Sequence, residues 1–342
     1  MRWAVAAPFT ADPASDRWLT PFVRGGRHSF VMVPAPPRPS WHARAQRASG
    51  WLDWLGTWSQ GRTAWAANAQ GVITVFPQLA FSVGARQRAR APQRLVVAWC
   101  FNLGQLYGGV KRAAARLALA RVDRFVVHSR AEVALYAEWL ELPQERFRFV
   151  PLQRAAIPLE EVEEQRDPFV LAMGSAQRDY ATLFEAVRGS RRRTIVVAAA
   201  HALAGLDVPA NVEVRRGLTA AECRRLAQRA RVNVVPVRAA ATAAGQVTLV
   251  EALRMGRAVV ATRCSGSVDY VAHERTGLLV EPHSAAALRD AIERLWADAD
   301  LRADLGRNAA RHAQEHCSDE AAGVALRGVL DELVGSGRAC RS

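Results

Sequence analysis

Lysine is almost missing from this chain: Lys111 is the only one among 46 basic residues, the others being arginine. A bias of that kind follows base composition of a genome as readily as function, so arginine content alone assigns nothing. Cysteine is sparse. Cys100, Cys223, Cys264, Cys317 and Cys340 are odd in number and show no C-x-x-C spacing, which argues against a disulfide framework or a zinc site. They read as free thiols packed as small hydrophobes. No apolar run reaches the roughly 20 residues needed to span a bilayer. The opening MRWAVAAPFTADPASDRW lacks a continuous apolar segment and carries Asp12 and Asp16. No secretory signal is therefore expected, and the protein is expected in the cytoplasm. Internal repeats and long low-complexity tracts are lacking, and no D-x-D dyad suggests a metal-held diphosphate.

What is present is a chain of 342 residues, half of them apolar, enough for two domains of ordinary size. Its net charge of +14 is unevenly spread. Residues 1–154 hold 21 basic against 8 acidic side chains, a net of +13; residues 155–342 hold 25 against 24, a net of +1. The pI near 10.9 raises nucleic-acid binding. No recognition motif accompanies it, and the balanced second half interrupts any continuous basic track, so no nucleic-acid partner is expected.

Short apolar runs alternate with helix-length segments throughout. Strands are predicted at 2–9, 29–34, 72–76, 95–101, 125–129 and 147–151, then at 169–174, 194–199, 212–215, 232–237, 258–262 and 277–280. Helical patterns fall at 105–120, 131–140, 180–188, 220–230, 247–255 and 285–296. Such alternation argues for parallel sheets built from βαβ units. Two series meet near the acidic stretch IPLEEVEEQRDP, which predicts an α/β chain of two Rossmann-like, doubly wound domains facing across a cleft. The expected division is 1–154, then 155–334 with its last helix free to pack back on the first domain, then a disordered tail, 335–342.

The most informative stretch is GQVTLVEALRMGRAVVAT, residues 245–262. It reads as a glycine-hinged loop, a short helix from about Val247, a stop at Gly256 and a buried strand. Free backbone N–H groups at a helix start favour bound phosphate. Glu251 lies one turn further in, where its carboxylate can accept from a ribose diol. An ordinary βαβ connection with a surface glutamate accounts for the same letters about as well.

The order PFVLAMGSAQRDYATLFEAV, VVPVRAAATAAGQVTLVEALRMGRAVVAT, GSVDYVAHERTGLLVEPHSAAALRDAIERL, over residues 167–320, resembles the donor-binding domain of GT-B glycosyltransferases of family 4. The resemblance implies GT-B architecture and a nucleotide-sugar donor of UDP or GDP type. Glu251 matches the second glutamate of the family's E-x7-E motif, which holds the ribose. Gly245, Gln246, Val247 and Thr248 match the loop that meets the sugar and diphosphate, and GSVDYV the place where a strand passes into a helix. Two positions depart. Ala243 stands where the first glutamate belongs, with Gln246 and Thr248 offering substitute hydrogen bonds. Ser175 follows Gly174 where the family has an arginine, leaving Arg178 as the diphosphate clamp; a solvated Arg178 paired with Asp179 is the alternative.

In the first half the resemblance is weaker. Where many relatives carry a sugar-contacting histidine, this chain offers Phe101 and Asn102; Asn102 is either a substrate contact or a cap of the following helix. In FVVHSRAEVALY, Ser129 and Glu132 have capping-box spacing, and His128 is either a substrate contact or a structural histidine. The family's glycine-rich first loop is absent, with Ser15 or Asp16 in its place. Trp41, Trp51, Trp54, Trp58 and Trp65 crowd one segment with Arg38, His42, Arg44, Arg47 and Arg62. Trp51, Trp54 and Trp58 share a helix face that suits a core first and a lipid surface second. With Arg86, Arg88, Arg90, Arg94, Lys111, Arg112 and Arg116 they make an anionic membrane a further expected partner, peripherally at the inner face of the cell membrane, and an acidic saccharide accounts for the same charge equally well.

Asn102 and His128 are thus the candidate catalytic residues. Gly174, Arg178, Gly245, Gln246, Val247, Thr248 and Glu251 are the candidate donor ligands. The expected reaction is sugar transfer to a saccharide or lipid-linked acceptor, retaining, with no metal and no cofactor. The rival reading is a degenerate GT-B protein that binds a nucleotide sugar without catalysis.

Overall fold

The computed structural model describes residues 1–14, 16–36, 51–89, 93–238 and 241–335, the side chains of 51–55 and 89 excepted. Ser15, Arg38, Trp41, His42, Arg44, Arg47, Arg90 and the expected tail fall outside the described residues, as do the side chains of Trp51 and Trp54. The chain divides into two compact units. One takes the described residues of 1–151 together with 319–335, and the other is Leu152–Ser318.

In the first unit six parallel strands lie in the order β2-β1-β3-β4-β5-β6. They are β1 (Arg2–Ala6), β2 (Ser29–Val33), β3 (Gly71–Val75), β4 (Leu95–Trp99), β5 (Arg124–Val127) and β6 (Phe147–Phe149). Every residue of β3 and β4 is buried, because a parallel sheet with helices on both faces leaves no polar side. One face packs on α1 (Trp51–Ala66), α2 (Pro77–Ala89), α3 (Gly109–Leu119) and α4 (Ala131–Leu140) through Ala64, Leu79, Leu119 and Tyr136. The other face, with Trp3, Ile73, Val97 and Trp99, is covered by Leu326, Val329, Leu330 and Leu333. Those four belong to α10 (Asp319–Gly335), the last helix of the chain. A polar relay fixes it: Trp3 Nε1 donates to His28 Nδ1 (3.1 Å), which leaves Nε2–H to donate to Asp331 Oδ1 (3.1 Å).

The tryptophan segment divides in the structure. Trp65 is core, with the Arg94 guanidinium 5.2 Å from its ring centroid. Trp58 is 43% exposed and lies under the Arg86 guanidinium at 4.1 Å.

In the second unit the order is β12-β11-β10-β7-β8-β9, again all parallel. The strands are β7 (Phe169–Met173), β8 (Arg193–Val197), β9 (Val212–Arg215), β10 (Val232–Val235), β11 (Val259–Thr262) and β12 (Leu278–Val280). Its helices are α5 (Tyr180–Val187), α6 (Ala220–Arg229), α7 (Gln246–Arg254), α8 (Ala285–Ala297) and α9 (Ala299–His316). The order reverses between β7 and β10, and at such a switch point the departing loops diverge and leave room for a ligand at the strands' carboxyl ends.

Candidate donor site

The loops that leave β7 and β10 hold the candidate site. After Met173 the chain turns at Gly174, whose φ of +113° suits only glycine, and a Cβ there would stand 2.4 Å from Arg178 Nη2. Gly174 thereby lets Arg178 fold back under the strand end. Arg178 is 7% exposed. Its Nε donates to Met173 O (2.9 Å), Nη1 to Ala176 O (2.9 Å) and Nη2 to Thr248 Oγ1 (3.1 Å). Among the described residues no carboxylate pairs with it. Asp179, the expected partner, instead caps α5 by accepting from Thr182 N (3.2 Å) and Thr182 Oγ1 (2.7 Å), and meets His283 Nδ1 at 3.2 Å. Burial pulls the guanidinium's pKa down, against the fields of Tyr180 and Cys264. The Tyr180 phenol, pushed up by burial, stays neutral and donates to Gly174 O (2.6 Å).

Across the switch point, Asp179 N donates to Pro236 O (3.0 Å) and Arg238 N to Gln177 O (2.9 Å), tying the two loops. Gly245 is the N-cap of α7 in a left-handed conformation, φ +83°. A Cβ there would meet Val237 Cγ2 at 2.8 Å, and Arg178 Nη1 lies within 3.6 Å of the same point. As a glycine, the N-cap has no side chain to bond the first-turn amides of α7, which stand at the positive end of the helix dipole. Gly174, Arg178, Gly245 and Thr248 are therefore gathered in one place. Val247 is exposed beside them. Gln246 is turned inward: it is buried and its Nε2 donates to Tyr270 OH (3.3 Å). Ala243 is buried as well. Glu251, one turn along α7, lines a groove of about 300 Å³ with Arg154, Arg224, Arg225 and Gln228. Residues 264–271 form successive turns closed by Ser267 N to Cys264 O and Tyr270 N to Ser267 O, with no regular helix where the sequence led us to expect one.

The candidates of the first unit stand apart from one another in role. Asn102 does not cap α3, whose N-cap is Gly108 without a side-chain bond. It closes its own turn, Oδ1 accepting from Gly104 N (2.7 Å), and its Nδ2 donates to Glu132 Oε1 (3.1 Å). α4 begins after Arg130, which makes no side-chain cap bond, and Glu132 N donates to Ser129 O (3.2 Å). The carboxylate is fully buried and accepts from Tyr136 OH (3.1 Å), one helical turn on. His128 is 4% exposed. Its Nδ1 donates to Val150 O (2.7 Å), which leaves Nε2 to accept from Cys100 Sγ (3.0 Å). Burial, opposed by the Val150 carbonyl, pushes its pKa down to about 4, and a neutral imidazole closed at both nitrogens is a structural group. Glu132, Arg154 and Tyr270 escaped the sequence reading. A glutamate four residues before a tyrosine in the apolar AEVALYAEWL was the available signal for the first; Arg154 and Tyr270 carry no local signal.

An Asp-x-Asp spelling does occur, at Asp298 and Asp300, and the structure makes it a helix start: Asp298 accepts from Leu301 N (2.8 Å) to cap α9.

Residues 168–298 match the family model for glycosyl transferases group 1. The match lies wholly within the second unit and gives it the label group 1 domain. The group 1 domain shares 45% identity over 76 residues with D-inositol 3-phosphate glycosyltransferase of Pseudarthrobacter chlorophenolicus, covering 22% of this chain and 18% of that one. It shares 40% over 76 residues with sucrose-phosphate synthase 4 of Arabidopsis thaliana, 21% of this chain and 7% of the other. The match thus spans a small part of these relatives' length. Likeness of fold extends further. Sucrose-phosphate synthase from Thermosynechococcus elongatus aligns with a TM-score of 0.71 at 17% identity, over 98% of this chain and 100% of the other. Anabaena Alr3699/HepE, solved in complex with UDP-glucose, gives 0.67 at 13%, over 98% and 100%. The two parallel six-stranded sheets and the group 1 domain have GT-B fold.

Proposed function

We propose that the protein moves a sugar from a nucleoside-diphosphate donor to a saccharide or lipid-linked acceptor, by a retaining route that needs no metal. The observation that carries this is Arg178. A guanidinium held below the surface without a carboxylate is costly unless an anion completes it, and it lies beside the glycine-capped start of α7. A diphosphate set there would accept from Arg178 and the first amides of α7. As the bond to the anomeric carbon breaks, negative charge accumulates on that diphosphate, and donors already oriented need no reorganisation to meet it. Thr248 holds the guanidinium, and Glu251 takes the ribose diol. UDP is the first nucleotide to try, because HepE was solved with UDP-glucose.

In the first unit, Asn102 is the group we assign to a sugar hydroxyl, with Glu132 and Tyr136 fixing its amide. His128 is left out of the chemistry because both its nitrogens are engaged.

Donor binding by calorimetry and transfer by product analysis test the assignment. Arg178→Met should weaken binding of the nucleoside diphosphate by about a hundredfold, from loss of charged hydrogen bonds worth about 2–3 kcal/mol, without lowering the melting temperature. Glu251→Ala should also lose transfer while remaining folded. Normal turnover in both variants would end the assignment.

Three observations favour a second reading, a donor-binding protein without catalysis: Ala243 leaves the family's first glutamate unreplaced, Gln246 is turned toward Tyr270, and Ser175 Oγ is engaged with Ala199 N (2.9 Å). Under that reading the purified protein binds donor and neither hydrolyses nor transfers it.

A lipid surface is the proposed partner of the first unit. On α3, Val110 is 85% and Leu117 52% exposed, and with exposed Ala113 and Ala114 they form one helix face flanked by Lys111 and Arg116. Apolar residues on a basic helix suit an anionic bilayer surface. No described helix is long and apolar enough to cross a membrane. Flotation with vesicles containing anionic lipid should recover the protein, and Val110→Asp with Leu117→Asp should lower the bound fraction about tenfold, since each basic residue near such a surface adds only about 1 kcal/mol. Equal flotation of wild type and variant would remove α3 from the contact.

A further inference from the structure

The chain enters the group 1 domain at Leu152 and leaves it after Ser318, and two of the first three residues that enter, Leu152 and Arg154, are held by hydrogen bonds. Leu152 N donates to Tyr270 OH (2.9 Å), the same hydroxyl that accepts from Gln246 Nε2 (3.3 Å). Arg154 N donates to Cys317 O (2.9 Å), at the point where the chain is about to leave. The Arg154 side chain then reaches Glu251, placing Nε at 3.1 Å and Nη2 at 2.5 Å from the same carboxylate oxygen, Oε1. Both side chains border the groove that also holds Arg224, Arg225 and Gln228.

We infer that Arg154 is a positioning residue for the nucleotide ribose, acting through Glu251; the inference rests on the reading of Glu251 as the ribose ligand. A glutamate on a helix face has three side-chain torsions to fix before it can accept two hydroxyl protons in one geometry. Two guanidinium donors on one oxygen fix them beforehand and direct Oε2 to the diol, so that less ordering remains for the moment of binding. Arg154 is itself fixed, because its backbone is pinned to Cys317 and the residue two before it to Tyr270. A role in stability alone fits less well. The Arg154 side chain is 37% exposed, and an ion pair so open to water adds little to folding. Tyr270 does the same service at the other end of the helix: its hydroxyl holds Gln246 and Leu152 together, so α7 is registered against the entering segment at two points a turn and a half apart.

The test is calorimetric, on the full chain, with the tightest-binding of UDP, GDP and ADP and its 2′-deoxy counterpart. The wild type should prefer the ribonucleotide by about tenfold, the loss expected when hydrogen bonds to a carboxylate go unmade. Glu251→Gln should abolish most of that preference. Arg154→Met should reduce it nearly as far, leave 2′-deoxynucleotide binding within about twofold and keep the melting temperature. Arg154→Lys, with one donor point in place of a fork, should recover part of it. The double variant should be no worse than Glu251→Gln, because the two act in series. If Arg154→Met keeps the full preference while Glu251→Gln loses it, the inference fails and the ribose reading stands. If Arg154→Met weakens ribo- and deoxynucleotide equally, Arg154 touches the ligand directly and the inference fails. If Glu251→Gln keeps the preference, the ribose reading fails and takes the inference with it.

Discussion

A single buried imidazole shows how far residue chemistry diverges from residue letters. His128 directly follows β5 at the carboxyl end of a sheet strand, yet its ring is walled in by Val150, Cys100 and Trp99, whose ring centroid is 6.4 Å away. Its pKa, lowered by burial to about 4, has a consequence for stability. The unfolded chain binds a proton near pH 6.5 and the folded chain does not until about pH 4, so stability is fully present above pH 6.5 and falls as pH drops toward 4. Between pH 7 and pH 5 the loss from this group should be about 2 kcal/mol. Urea unfolding at the two pH values checks it, and His128→Gln should flatten that part of the profile. A variant that keeps the full slope would assign the loss to other groups. Arg178 is the opposite case, a buried cation held by carbonyls and a hydroxyl with its charge unmatched among the described residues.

At the scale of elements, α7 depends on what backs it. α9 crosses behind α7 at Gly306, where a Cβ would stand 2.2 Å from Gly256 O, the glycine that ends α7 with φ +61°. Only two bare backbones can approach so closely. Gly306→Ala should cost about 1–3 kcal/mol of stability by forcing the helices apart, and because α7 carries Thr248 and Glu251 it should weaken nucleotide binding as well. Denaturant melts and calorimetry read the two effects; a variant as stable as wild type would mean that the crossing yields easily. Helix packing of this kind also explains what was hard to read. The twelve strands were legible because each is a short β-branched or apolar run closed by a turn. α2 was not legible, since PQLAFSVGARQRA carries Gly84 at mid-helix, and that glycine is there for the backbone of α3: a Cβ would meet Ala118 O at 2.3 Å. The Ser129–Glu132 spacing suggested a cap, and only the tertiary fold shows that the buried glutamate also joins Asn102 and Tyr136.

For the whole molecule, the first unit is not complete until the last helix has been made. α10 supplies Ala322, Leu326, Val329, Leu330 and Leu333 to the face of the sheet that carries Trp3, Ile73 and Trp99. Burying four side chains of leucine or valine size stabilises by about 6–12 kcal/mol, comparable with the whole stability of a domain. A chain stopped after Ser318 should therefore leave the first unit unfolded or aggregated, while the group 1 domain retains its own core. Hydrogen exchange on the truncated chain would test this; native protection in β3 and β4 would contradict it. Charge also belongs to this scale. The excess of +13 in residues 1–154 motivates the proposal of an anionic partner, and the exposure of Val110 and Leu117 is why α3 is proposed as its face.

The sequence by itself determined the parallel α/β class, the GT-B likeness and the letters of the loop that leads into α7, because strand runs, glycine turns and helix starts are local and repeat along the chain. It also carried Gly174, Arg178, Gly245 and Thr248 as candidates, though not the fact that they converge. Tertiary structure decided that convergence, through the reversal of strand order between β7 and β10 and the left-handed turns at both glycines. It alone decided that Gln246 faces Tyr270, that Arg154 reaches across 97 residues to Glu251, and that His128 is walled in. Each of those outcomes depends on which side chain fills the space beside another, and residues distant in sequence become neighbours only when the sheet has closed.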